Sequence, residues 1–182
     1  MDLQNGLTGL GINRILVADD TAENLDAARS LAELLPGIVF EFFTSGASVI
    51  EEIQRDPGSV GLVITDRQME TENAGIDVAA FGWGMMVPVI VASGGYQHAG
   101  STQVRIAPVG AAIDGSKNSP AVWEEILKEF LANVESRKSL LHTMLLARRA
   151  GVDPESQADG FLSSTIRGVM LGYLQQEGEP DP

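Results

Sequence analysis

The sequence predicts an α/β fold built on a doubly wound, five-stranded parallel sheet, and three observations carry that expectation. Short apolar runs alternate with helical segments over the first two thirds of the chain. One of them, Gly61-Leu62-Val63-Ile64-Thr65, is apolar or small almost throughout, as strands buried on both faces of a parallel sheet are. Polar residues stand directly after several of these runs. Right-handed crossovers gather those strand ends on one rim, where open α/β sheets bind their ligands.

Taken in order, the first twelve or so residues read as a loose, glycine-containing lead-in. Residues 14–18 form a strand that ends on Asp19-Asp20. A helix over 21–35 follows, with Asp20 or Thr21 as its cap and Leu25, Ala28, Leu31, Ala32 and Leu35 on one face, until Pro36-Gly37 stops it. Residues 38–43 are a second strand. A helix over 47–55 buries Val49, Ile50 and Ile53, and Asp56-Pro57-Gly58 turns the chain into the strand at 61–65. Beyond Asp66 and its loop, 75–81 is a shorter helix, and 87–92 a fourth strand that tolerates Pro88 near its start. The stretch between Gly95 and Pro108, which holds His98 as a solvated loop residue, is weakly patterned. A fifth strand at 109–113 leads through Lys117 to Ser119-Pro120, a helix-opening pair. Trp123, Ile126, Leu127, Phe130, Leu131 and Val134 lie on one face of that helix.

The helical pattern runs on to Gly151, with Arg137, Lys138, Arg148 and Arg149 around Leu140, Leu141, Met144 and Leu145. A second helix, about 160–176, carries Phe161, Leu162, Ile166, Val169, Met170, Tyr173 and Leu174 on one stripe. The polar tail 177–182 has no fold signal. The expected division is therefore an α/β domain over 1–136 and a C-terminal helical hairpin over 137–182. Such a hairpin is too small to hold its own core and must pack on the domain or on another chain. A homodimer through these helices is the expectation.

Composition narrows the function. The 182 residues are 44% hydrophobic and 20% charged, enough for a proper core. Absence of cysteine excludes disulfides and thiolate metal sites. A net charge of -13 argues against binding nucleic acid or anionic membranes, and no apolar run reaches the ~18 residues of a membrane span. The start, Met1-Asp2-Leu3-Gln4-Asn5-Gly6, lacks the features of a signal peptide, so the expectation is a cytoplasmic protein.

The predicted topology collects Asp19, Asp20, Asp66 and Ser93 from three strand ends into one cleft. Singly, each has an ordinary explanation in helix capping or turn formation. Together, three carboxylates repel unless a cation or proton intervenes, and Mg²⁺, which prefers oxygen ligands, is the economical answer. Lys117 falls at a further strand end. An ammonium beside a carboxylate and a hydroxyl suits a phosphoryl group, whose charge builds on its oxygens during transfer. Ser93 and Lys117 are expected at the rim rather than in the core.

The pattern resembles the receiver domain of bacterial two-component response regulators over roughly residues 13 to 134. It rests on Ile15-Leu16-Val17-Ala18-Asp19-Asp20, Leu62-Val63-Ile64-Thr65-Asp66-Arg67-Gln68-Met69, Val87-Pro88-Val89-Ile90-Val91-Ala92-Ser93 and Lys117. The resemblance implies a flavodoxin-like fold with Asp66 as phosphoacceptor, Ser93 as hydroxyl switch and Lys117 as phosphate-binding lysine. It also implies Mg²⁺ held by Asp19, Asp20, Asp66 and the main-chain carbonyl of Gln68. A histidine kinase or phosphotransfer protein would be the donor. The chain departs from the family at Asp114, where an aromatic is usual, at Asn118, where Pro usually follows the lysine, and at Glu70, where Pro usually follows the methionine. No cyclase, methylesterase or kinase motif is present, and a phosphatase with Asp66 as nucleophile would want an Asp where Gln68 stands, so the chain is not expected to be an enzyme. The alternative is a receiver-shaped interaction module that phosphorylation does not switch.

Overall fold

The computed structural model describes residues 2–94, 105–107, 110–113 and 116–135. His98, Asp114 and the whole of the expected C-terminal hairpin lie outside the described residues. The chain is α/β. The described elements are α1 (Leu3–Gly9), β1 (Arg14–Ala18), α2 (Ala22–Ala32), β2 (Val39–Phe43), α3 (Gly46–Arg55), β3 (Leu62–Thr65), α4 (Ala74–Gly84), β4 (Val89–Gly94), β5 (Arg105–Ala107), β6 (Gly110–Ile113) and α5 (Pro120–Glu135).

The sheet has six strands in the order β2-β1-β3-β4-β6-β5. β2, β1, β3, β4 and β6 pair in parallel, an order compatible with flavodoxin-like folds, and β5 pairs antiparallel with β6. The antiparallel edge strand β5 is not among the expected strands. Only three residues long, β5 is too short to leave a period-two pattern, and its backbone pairs Ile106 with Ala111. The core is continuous through the sheet: Ile15, Leu16, Leu62, Val63, Val89 and Ile90 have no exposure at all. α2 packs with α5, and α3 with α4. No helix among the described residues is long and apolar enough to cross a membrane.

The lead-in is not loose. Residues Leu3–Gly9 form a helix whose first turn is capped by the Asp2 carboxylate, which accepts from the amides of Gln4 at 3.0 Å and Asn5 at 3.4 Å. Leu7 and Ile12 are fully buried, and the Gln4 side chain accepts from the Gly37 amide at 3.0 Å. Burial, not intrinsic propensity, holds this short helix, since two glycines sit inside it.

α4 also runs past its expected end, through Gly82 to Gly84. A Cβ at Gly82 would collide with the Val89 side chain, so the glycine lets α4 close onto β4. The helix then ends through Met86 in the left-handed region (φ 58°), with Met86 N donating to Trp83 O at 3.0 Å and Val87 N to Gly82 O at 2.8 Å. Methionine stands here because its side chain is needed in the core, where it is 1% exposed.

Candidate functional site

The site forms where β1, β3 and β4 end together and the β6–α5 connection returns to them. Parallel pairing aligns Ala18 with Thr65, and the amide just beyond continues the ladder, Asp66 N donating to Ala18 O at 2.7 Å. Asp19 N likewise donates to Phe43 O at 3.1 Å. These bonds set both carboxylates one step past the sheet edge. Ser93 lies in β4, in register with Ala112 of β6.

Lys117 joins the strand ends. Its ammonium lies 2.6 Å from Asp19 Oδ2, hydrogen-bonds Asp66 Oδ1 and donates to the Ala92 carbonyl at 2.9 Å. Its three protons thus have acceptors just past β1 and β3 and on β4. The side chain is 4% exposed, which corrects the expectation of a lysine at the rim. Burial of an ammonium is sustained here because two carboxylates and a carbonyl replace its water.

Asp19 is fully buried, and Thr21 N donates to its Oδ1 at 3.0 Å. The Asn24 amide nitrogen donates to both oxygens, at 3.0 and 3.2 Å. Asp66 is only partly exposed, and burial pushes its carboxyl above the ordinary carboxylate range, outweighing the opposing charge and hydrogen bond of Lys117. The pocket holds two carboxylates and one ammonium, so it is short of one positive charge when both acids are ionised.

The loop after Asp66 is held from two sides. Gly75 N donates to Arg67 O at 3.0 Å, and a Cβ at Gly75 would collide with the Asp66 carbonyl oxygen, so only glycine permits this approach. The Glu70 carboxylate caps α3, accepting from the amides of Gly46 at 3.0 Å and Ala47 at 2.9 Å. Burial works to raise the Glu70 carboxyl, but these amides together hold it below its ordinary value.

The oxygens of Asp19 and Asp66 are of the donor type a hard divalent cation takes, but both converge on the Lys117 ammonium. The rest of the expected set does not gather there. Asp20 is exposed, with the Thr21 hydroxyl at 3.5 Å the one hydrogen-bond partner of its carboxylate among the described residues, and Gln68 is exposed. Among the described residues no three acidic or histidine side chains cluster as a metal site would. Nothing in the sequence signals Asn24 at Asp19, Glu70 as a cap, or the polar contact of Trp123: expected on the core face of its helix, it also donates from its indole Nε1 to the Lys117 carbonyl at 2.7 Å. Asn24 follows Asp19 by five residues in an ordinary helix start, and its sequence alone carries no signal for that pairing.

No family model and no curated protein matches the chain. Among solved structures it is similar to the lysine decarboxylase LdcF of Francisella novicida, with 14% identity and a TM-score of 0.40. The similarity covers 68% of this chain and 18% of that one, so the chain spans under a fifth of that protein's length. At that level the likeness carries no conclusion about fold family or function.

Proposed function

We propose that the chain is a receiver-type signalling module, with a flavodoxin-like fold, that accepts a phosphoryl group on Asp66 and signals through protein contacts. The observation that carries this reading is the buried Lys117 ammonium bonded to carboxylates from two strand ends and to the carbonyl just before Ser93. A phosphohistidine in a kinase or phosphotransfer protein is the donor: its N–P bond breaks as an Asp66 Oδ–P bond forms, and the imidazole leaves with the nitrogen electron pair. Lys117 would release Asp66 and hold a phosphoryl oxygen, while Ser93 is the hydroxyl that responds. Mg²⁺, held by Asp19, Asp20, Asp66 and the Gln68 carbonyl, would supply the positive charge that the pocket lacks. Asp20 and Gln68 would have to turn inward to complete that set. Self-association through the helical hairpin expected over 137–176 is part of the same proposal.

The second reading, an interaction module without phosphorylation, is favoured by one feature: Lys117 already pairs with both acids, so the site is closed as it stands. Incubation with acetyl phosphate and Mg²⁺, followed by intact-mass measurement, separates the two. A phosphorylated wild type alongside an unmodified Asp66→Asn chain supports the first. Labelling that survives Asp66→Asn or chelation of the metal rejects it.

A further inference from the structure

The Lys117 side chain reaches both acids only if its main chain is held, since a flexible four-carbon stem would otherwise sample solvent. Asn118, not proline, follows Lys117, and among the described residues Asn118 N bonds locally, to Ser116 Oγ at 3.2 Å. The anchor comes from the core. Trp123, in the first turn of α5 and 2% exposed, donates its indole N–H to the Lys117 carbonyl at 2.7 Å in a buried bond.

The other tryptophan makes the contrast. Trp83 is fully buried as well, yet its Nε1 has no partner among the described residues. This fold therefore tolerates an indole used for volume alone. At position 123 the same side chain is aimed at the one carbonyl from which the site's ammonium extends.

We propose that Trp123 is a positioning residue: its indole N–H fixes the Lys117 main chain and thereby sets the ammonium between Asp19 and Asp66. Its consequence for phosphoryl acceptance rests on the reading of Asp66 above; the positioning itself does not.

Two replacements test it. Trp123→Phe removes the N–H and part of the ring. Global replacement of tryptophan by benzothienylalanine keeps the shape, puts sulfur where indole carries N–H, and deletes a single described hydrogen bond, because that of Trp83 has no partner. This second chain decides the matter if Trp123→Phe fails to fold. The first readout is the ¹⁵N-edited ammonium signal of Lys117, visible only while the group is held in its ion pairs. The second is the rate of Asp66 phosphorylation by acetyl phosphate with Mg²⁺. Loss of one buried hydrogen bond is expected to speed ammonium exchange and slow phosphorylation by about fivefold to tenfold each, whereas Trp83→Phe changes neither. An unchanged Lys117 signal in a folded benzothienylalanine chain overturns the inference. If wild type is never phosphorylated, the reading of Asp66 falls, and the ammonium signal still decides the role of Trp123.

Discussion

Lys117 is nearly out of contact with water, and that changes what its removal should cost. A rim lysine could be truncated for well under a kcal/mol. Here Lys117→Ala would strand two desolvated carboxylates, a loss of about 3 kcal/mol by analogy with other broken buried pairs. Urea unfolding at neutral pH checks it; a loss under about 1 kcal/mol would mean water already reaches the acids. Asp66→Asn should behave oppositely. The folded Asp66 carboxyl is raised above its ordinary 3.8, so its contribution is fully present below that value and is lost as pH climbs through the folded one. Wild type should therefore lose ground against Asp66→Asn as pH rises across that window, and parallel stability curves would contradict it. At this scale the acids and the lysine were legible because strand ends gave their positions. The burial of Lys117 was not, because a lysine in a loop looks the same in sequence whether its neighbours are water or carboxylates.

Elements set the loop that carries Asp66. Glu70 reaches from that loop to the N-terminus of α3, so a single side chain ties the two together. Glu70→Ala is expected to cost about 1 kcal/mol, as loss of a helix cap does. Its carboxyl is lowered below 4.5, as is that of Glu41, which the Arg14 guanidinium holds through its hydrogen bond. Both contributions are present above that value and fade as pH falls through the lowered ones, so the penalty of Glu70→Ala should shrink in acid. A penalty that does not change with pH would show that the carboxylate charge is irrelevant. Gly75→Ala should cost more, above about 2 kcal/mol, and should disturb the amide resonances of Asp66 and Arg67, because the methyl would enter the Asp66 carbonyl. Helix and strand positions could be read where periodicity was long, as in α2 and α3. It failed at α1, a helix of seven residues, and at β5, a strand of three, since each is shorter than its own pattern needs to be recognised.

For the whole molecule, the question is whether the α/β body closes its core without the segment beyond α5. Trp123, Ile126, Leu127, Phe130 and Val134 are all at most 2% exposed, and α5 packs along α2. That face is complete by Glu135, where the described part of α5 ends. A chain stopped there should thus unfold cooperatively, with stability within about 1 kcal/mol of the full chain at equal protomer concentration. Self-association should be lost in the same step. The face of α5 described here is already packed, and leaving the seven large side chains expected on the stripe from Phe161 to Leu174 in water is costly at roughly 1.5–3 kcal/mol each. Under the proposed self-association, pairing with a second copy buries them. Light scattering at micromolar concentration should find the full chain dimeric and the shortened chain monomeric. A monomeric full chain, with a large loss of stability on truncation, would place the stripe on its own α/β body and reject the dimer.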